Sequence, residues 1–157
     1  MISMRNSLLL IILSLAIASC GQLDFFEKNT PVRNSSWVRG DSAVGTFTID
    51  DTTSAFNLYV VLRHKDSYRY NNIWLNVGLQ IPGAEIAYQK VDLLLGTDEK
   101  WLGVGMNDIW EVRKPLTSRP MRFARTGVYR YSIKHIMREN PLDGIMSVGL
   151  RVEKSGS

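Results

Sequence analysis

The chain has 157 residues, and its 19 Lys and Arg against 15 Asp and Glu give a net charge of +4, too small to indicate a nucleic-acid partner. Its single cysteine, Cys20, excludes an internal disulfide and leaves no thiol elsewhere for catalysis or for a cysteine-based metal site. The length allows one ordinary domain with a sizeable core.

The first twenty residues are typical of an export signal. Arg5 precedes an apolar run over residues 8–18, which is too short for a membrane-spanning helix of about 20 residues. The run ends in Ile17-Ala18-Ser19-Cys20, which fits the bacterial lipobox pattern, in which the signal is removed and the cysteine is diacylated. An ordinary secretory signal with a chance cysteine is the alternative. We therefore predict a cleaved lipoprotein signal peptide over residues 1–19 and lipidation, for example with palmitate, at Cys20.

Residues 20–41 are predicted to form a lipidated tether and lead-in. Turn-like residues are frequent there, and Pro31 opposes regular strand pairing. Trp37 is expected to pack at the edge of the domain with its indole N–H hydrogen-bonded. The folded domain is then predicted over residues 42–157.

From residue 44 onward, apolar side chains recur at every second position, which is typical of half-buried strands. Strands are predicted at residues 44–49, 56–62, 73–79, 86–95, 109–112, 127–133 and 146–152, with a further strand around Gly103 and Gly105. One or two helical turns are predicted at residues 134–139. Several short strands with almost no helix predict an all-β fold. We expect an antiparallel two-sheet β-sandwich that is jelly-roll-like.

Residue types that carry catalysis are scarce in this sequence. His64 and His135 are the only histidines, and neither has a partner at metal-ligand spacing, so each is expected to be a surface residue or an internally satisfied one. Asp50 and Asp51 could ligate calcium, but acidic turn residues are the simpler interpretation. No G-x-S-x-G nucleophile motif is present. We predict no catalytic residue, no cofactor and no metal.

Aromatic side chains are the remaining candidates for binding. In the alternation of its strand, Trp74 falls on the face opposite Ile73 and Leu75, where a ring could stack on a sugar or anchor a protein partner. A second apolar layer beneath loops is the alternative for the aromatic residues, and a plain surface charge is the alternative for Arg138. The candidate partner- or glycan-binding residues are Tyr68, Tyr70, Trp74, Trp101 and Arg138.

The positive charges are unevenly distributed along the chain. One region contains Arg113, Lys114, Arg119, Arg122, Arg125 and Arg130. A solvated loop and sheet face would explain this region, and the alternative is a docking surface for an acidic partner or for lipid headgroups.

Three groups of motifs resemble the gliding-motility lipoproteins of Bacteroidetes called the GldH family. The first is Tyr68-x-Tyr70-x-Asn72-x-Trp74-Leu75, and the second is Gly96 followed by Trp101-Leu102-Gly103-x-Gly105. The third comprises Gly127-x-Tyr129, Ile133-x-His135-x-Met137-Arg138, Pro141-Leu142-x-Gly144-Ile145 and Val148-Gly149-Leu150-Arg151-Val152-Glu153. With the lipobox, the resemblance spans nearly the whole chain.

The resemblance implies a non-enzymatic cell-envelope lipoprotein associated with gliding motility and type IX secretion. Acting as a protein-docking subunit is the leading hypothesis, a glycan-binding envelope lipoprotein is the alternative, and a glycosidase is a distant third. The expected partners are the membrane, through the lipid, and other envelope lipoproteins or motility and secretion components. Gly21-Gln22-Leu23 after Cys20 lacks an acidic surface-export signal. We therefore expect the inner leaflet of the outer membrane, with the domain facing the periplasm.

Overall fold

The structure, a computed structural model, describes residues 25–156, so the predicted signal peptide and Cys20 lie outside the described part of the chain. These residues form eleven strands and a single 3₁₀ turn at Arg33–Ser35. The strands are β1 Phe25–Pro31, β2 Ser36–Trp37, β3 Ala43–Ile49, β4 Phe56–Lys65, β5 Asn72–Gln80, β6 Ile86–Leu94, β7 Val104–Met106, β8 Ile109–Pro115, β9 Gly127–His135, β10 Leu142–Asp143 and β11 Ile145–Lys154.

The strands assemble into two main antiparallel sheets. The five-stranded sheet has the order β1-β11-β4-β8-β7, the four-stranded sheet has the order β3-β9-β5-β6, and β10 pairs with β2 apart from both. Without the short β2, β7 and β10, eight long strands remain, and we count them from one to eight in chain order. The five-stranded sheet then has the order 1-8-3-6, and the four-stranded sheet has the order 2-7-4-5. This interleaving is the double Greek key of a jelly roll. The predicted fold class is therefore confirmed.

The core lies between the two sheets and follows the period-two pattern of the sequence. Leu58, Val60 and Leu62 of β4 point inward and are at most 3% exposed, because alternate side chains of a strand share one face. Ile73, Leu75 and Val77 of β5 point toward the core from the opposite sheet. The aromatic rings of Phe47, Phe56, Phe123 and Tyr129 close one end of this core with centroid separations of 4.8–5.8 Å.

The loops divide into two groups at opposite ends of the sandwich. We call the end formed by residues 50–55, 81–85 and 116–126 the base end, and the end formed by residues 66–71, 95–103 and 136–141 the motif end. Strand β4 runs from one end to the other over its 10 residues, a distance of about 30 Å at roughly 3.3 Å per residue. The two groups of loops are thus well separated in space.

The prediction that residues 20–41 lie outside the sandwich is wrong for residues 25–31. These form β1, which pairs along its whole length with β11, from Phe25 opposite Glu153 to Pro31 opposite Ser147. Pro31 stands at the last position of this edge strand, where a missing N–H is tolerated. Trp37 does pack as predicted: it is 2% exposed, and its Nε1 donates to the carbonyl of Asp41 at 3.0 Å.

The helical turn predicted at residues 134–139 is also wrong. Strand β9 continues through His135, which pairs with Leu75, and the amide of Ile136 donates to the carbonyl of Trp74 at 2.9 Å. Ile133 and His135 both point into the core, so the period of two simply extends further than the sequence suggested. Among residues 25–156, no helix has the length and apolarity needed to cross a membrane.

Candidate functional site

The motif end contains a compact aromatic cluster, formed by His64, Tyr68, Tyr70 and Trp101. The His64 and Trp101 rings are 4.5 Å apart, and Tyr68 lies 5.8 Å from His64 and 5.7 Å from Tyr70. Tyr68 is only 3% exposed, and this burial raises the pKa of its phenol well above 10. The cluster therefore acts as packing between the end of β4, the loop to β5 and the loop after β6.

Hydrogen bonds fix the loop that carries this cluster. The Tyr68 hydroxyl donates to the carbonyl of Asn72 at 3.1 Å, and the Tyr70 hydroxyl donates to the Glu139 carboxylate at 2.6 Å. Gly144 has a φ of +91°, and a Cβ on it would lie 3.1 Å from Cα of Tyr68. Only glycine allows the backbone to approach so closely in this conformation. Parts of all three motif groups thus meet at the motif end, where Tyr68 contacts Gly144 and Trp101, whereas Gly127-x-Tyr129 lies at the base end.

The segment at residues 136–138 lies beside Trp74. The amide of Trp74 donates to Sδ of Met137 at 3.2 Å, and Arg39 donates to the carbonyls of Met137 and Arg138 at 2.9 Å and 2.7 Å. The backbone of Arg138 is therefore fixed, while its side chain is exposed. Trp74 is 43% exposed on the outer face of β5, where the alternation places it.

These positions separate the five candidate binding residues into two groups. Tyr68 is buried, and Tyr70 and Trp101 are partly buried against the core, which favours the alternative of a second apolar layer beneath loops over a binding role for these three residues. The chain turns back after β4 and carries these rings inward, a path that the pattern of a polar loop does not reveal. Trp74 and Arg138 remain on the surface, at neighbouring positions.

The outer face of the four-stranded sheet contains more exposed apolar surface than the sequence alone suggested. We call it the exposed sheet face and define it by side chains that are 43–58% exposed: Val44, Trp74, Tyr88, Leu94 and Val128. The Tyr88 ring lies flat over Gly78, where an added Cβ would stand 2.6 Å from its Cε1, and Nζ of Lys134 lies 5.9 Å from the ring centroid. The face is apolar, aromatic and cationic.

The outer face of the five-stranded sheet is different, because its charges neutralise each other. A chain of ion pairs crosses β8, β4, β1 and β11, with N···O distances of 2.6–3.9 Å. Its members are Arg63, Glu111, Arg113, Glu27, Arg151 and Glu153. Although exposed ion pairs contribute little stability, this ladder leaves a solvated surface with internally paired charges.

The two histidines are buried rather than on the surface, since each is 0% exposed. Nδ1 of His64 lies 3.0 Å from the carbonyl of Lys65, and Nε2 of His135 lies 3.1 Å from the carbonyl of Trp37. The other ring nitrogen of each histidine has no hydrogen-bond partner within the described residues. Burial lowers the pKa of both imidazoles below 6.5, so both are neutral at pH 7.

The described residues offer little that could carry out chemistry. No group of three or more histidine, cysteine or carboxylate side chains within residues 25–156 could hold a metal ion. Asp51 instead accepts hydrogen bonds from the hydroxyls and amides of Ser54 and Thr53, which lower its pKa. An open groove of about 770 Å³ runs along residues 30–43, and Arg33 and Asp41 supply the charged groups of its lining.

The fold and these surfaces define a class: an all-β jelly-roll domain with one exposed apolar sheet face. The chain belongs to the GldH lipoprotein family, whose model matches residues 24–152. Membership in a lipoprotein family implies a lipid-anchored protein of the cell envelope.

Two relatives cover most of this chain. A gliding motility lipoprotein GldH homolog of Christiangramia forsetii is 31% identical over 125 residues, which are 73% of this chain and 76% of the relative. The gliding motility lipoprotein GldH of Flavobacterium johnsoniae is 29% identical over 161 aligned residues, covering 96% of this chain and 97% of the relative. No solved structure is significantly similar to the chain.

Proposed function

We propose that this protein is a non-enzymatic docking subunit of the envelope machinery for gliding motility and type IX secretion. The names of the two relatives support the link to gliding motility. The proposal includes acylation at Cys20 and a position in the inner leaflet of the outer membrane, with the domain facing the periplasm. The observation that carries the docking role is the exposed sheet face.

This face has the composition of a protein interface. Trp74 and Tyr88 are 43% and 51% exposed, and tryptophan and tyrosine are among the residues that dominate binding energy in interfaces. Val44, Leu94 and Val128 extend the apolar surface around them, and Lys134 adds positive charge beside Tyr88. On the opposite sheet, the ion-pair ladder occupies β1, β11, β4 and β8, and the exposed apolar side chains Val104 and Met106 are confined to the short edge strand β7, without an exposed aromatic ring beside them.

The environment of Trp74 favours a protein partner over a glycan. Sugar sites combine a stacking ring with polar groups that are free to bind hydroxyls, but Asp92, opposite Trp74, accepts a hydrogen bond of 2.8 Å from Asn72. Leu94 lies diagonally across from Trp74 and is 43% exposed. An apolar neighbour of this kind suits a protein surface better than a saccharide.

The test is co-purification of the native lipidated protein from its own membranes in mild detergent, comparing W74A/Y88A with V104A/M106A. The control removes apolar side chains that are 78% and 76% exposed on the other sheet. We expect gliding or type IX components to be recovered with the control and to fall at least tenfold with W74A/Y88A, since the loss of a central aromatic anchor costs about 2 kcal/mol or more. Melting temperatures would show that both variants are folded.

Equal loss of the components in both variants, or their full retention in W74A/Y88A, would refute docking through this face. Recovery of polysaccharide that disappears in W74A/Y88A would support the glycan-binding alternative instead.

A further inference from the structure

The described chain enters the sandwich at the base end, where β1 begins. Phe25 pairs with Glu153, and the neighbouring Lys154 pairs with Phe56 of β4. Phe56 and Met121 exchange two backbone hydrogen bonds of 2.8 Å each. Two strands, β11 and β4, therefore separate the start of β1 from the segment 116–126, and these three inter-strand spacings amount to about 14 Å at roughly 4.8 Å each.

The length of the chain before Phe25 limits how far this end can stand from the membrane. Cys20 precedes Phe25 by five positions, and an extended chain spans at most about 3.5 Å per residue, hence about 17 Å in total. A lipid on Cys20 would hold the base end within this distance of the bilayer surface, whatever the conformation of the connecting residues. The motif end could then lie up to about 30 Å further out, if the strands stand upright on the bilayer.

Residues 116–126, which we call the base loop, form a positively charged surface at this end. The loop contains Arg119, Arg122 and Arg125 and no Asp or Glu, and all three arginines are exposed. Within the described residues none of them takes part in an ion pair, although Arg125 donates to the carbonyl of Pro82 at 3.3 Å. Of the other cations in this stretch of sequence, Arg113 belongs to the ladder and Arg130 lies on β9.

The base loop is held in place by the core beneath it. Phe123 is 2% exposed and packs 4.8 Å from Tyr129 and 5.4 Å from Phe56. The Tyr129 hydroxyl donates to the carbonyl of Arg125 at 2.8 Å, and the Thr117 hydroxyl donates to the carbonyl of Arg119 at 2.8 Å. Because the backbone is fixed from inside, the arginines are presented outward without a large ordering cost.

Within residues 25–156, no carboxylate at the base end forms an ion pair with these three arginines. At the base end, Asp51 lies 3.3 Å from Lys154, and Glu153 pairs with Arg151 at 2.6 Å. Asp50 and Glu85 are exposed on the two other base-end loops. The base loop therefore keeps a surplus of positive charge on the side that the anchor turns toward the bilayer.

We propose that the base loop is the membrane-facing surface of the protein, with Arg119, Arg122 and Arg125 bound to anionic headgroups of the leaflet that holds the lipid. Basic residues are attracted to such headgroups, and three of them strengthen the contact about a hundredfold at moderate ionic strength. The domain then stands end-on, and the motif end and the exposed sheet face are free for partners. This proposal rests on the acylation of Cys20 proposed above.

The orientation can be tested with the lipidated protein in vesicles of phosphatidylcholine and phosphatidylglycerol. Since Cys20 is the sole cysteine, one introduced thiol can be labelled with a fluorophore selectively. Ser118→Cys places it on the base loop, and the matched Ser67→Cys places it at the motif end; both serines are exposed. With a quencher in the headgroup region, we expect at least fivefold stronger quenching at position 118 than at position 67.

The arginines are tested in the same measurement by R119Q/R122Q/R125Q, compared with K65Q/K90Q/K100Q, which removes three exposed cations from other surfaces. We expect the arginine variant to lose at least half of the quenching at position 118 and the lysine variant to keep it. High salt or vesicles of phosphatidylcholine alone should act like the arginine variant.

Equal quenching at both positions, or quenching at position 118 that does not depend on the arginines, would overturn the orientation while leaving the anchor intact. A mature N-terminal peptide without acyl mass would overturn the anchor, and the orientation with it. The mass of that peptide therefore distinguishes the two failures.

Discussion

At the scale of single residues, the buried histidines are the most consequential feature. His64 supports the aromatic cluster, and the His135 ring lies 5.2 Å from the Trp37 ring while its Nε2–H donates to the Trp37 carbonyl. Burial is the main reason that both pKa values are lowered; for His135, the positive charge of Arg39 lowers the value further. Neutral imidazoles are therefore part of the packing of the motif end.

This burial predicts a pH-dependent stability. Below pH 6.5 the unfolded chain protonates both imidazoles, whereas the folded chain resists protonation until its lower pKa is reached, so the free energy of unfolding falls as the pH falls. The loss is at most about 1.4 kcal/mol per pH unit for each histidine, and above pH 6.5 it vanishes. Urea unfolding between pH 7.5 and pH 5 measures this dependence.

The variants H64Q and H135Q provide the control, because each removes one titrating ring. Each should flatten the decline in stability between pH 6.5 and pH 5 relative to the unsubstituted chain, even where it lowers stability at all pH values. An unchanged slope in both variants would assign the pH dependence to other groups.

At the scale of elements, β1 is a part of the sandwich and not a tether. Its seven residues cover the free edge of β11, and the Phe26 ring packs 5.7 Å from Phe47 and 6.4 Å from Tyr131. β1 thus links the two sheets as well as extending one of them. This arrangement is also the reason that a lipid on Cys20 would keep the base end close to the membrane.

We predict that a chain starting at Ser42 does not fold, whereas a chain starting at Asp24 does. The shorter chain lacks β1 and Trp37, and loss of a buried tryptophan side chain alone costs about 3–5 kcal/mol, a large part of a total stability of about 5–15 kcal/mol. Thermal unfolding followed by circular dichroism should show a cooperative transition only for the longer chain. A cooperative transition in both would mean that β1 is dispensable.

At the scale of the whole molecule, the two ends and the two sheet faces differ in charge and polarity. The base end carries the arginines and the entry of the chain, and the motif end is closed by aromatic packing. The four-stranded sheet has an apolar outer face, whereas the five-stranded sheet carries the ion-pair ladder, with exposed apolar side chains on its edge strand β7. The family motifs concentrate at the motif end, where Tyr68, Gly144 and Trp101 maintain the packing. These motif residues are therefore explained by the packing of the fold as well as by any binding surface.

Removal of the lipid anchor should therefore change where the protein is located without changing the stability of its fold. We predict that the mature protein begins at Cys20 with acyl mass, and that Cys20→Ala carries none and fails to reach the outer membrane. Its thermal unfolding should be unchanged, because Cys20 precedes β1 by five residues. Peptide mass spectrometry, membrane fractionation and calorimetry test the three parts, and an unacylated native N-terminus would refute the first.

The sequence determined which residues of each strand face the core, because a period of two in side-chain direction is a local property of strands. It therefore predicted the strands from β3 to β11 in outline, except the short β10, together with the outward position of Trp74 and the jelly-roll class. The resemblance in its motifs identified the family.

Only the tertiary structure decided where Tyr68, Tyr70 and Trp101 point, because they lie in loops whose direction is set by contacts with distant segments such as Gly144 and Glu139. It likewise brought β1 onto β11, a pairing across more than a hundred residues. It also placed Tyr88 over Gly78 and brought the base loop beside the entry of the chain. These contacts join residues that are far apart in the sequence, and a local periodicity carries no information about such contacts.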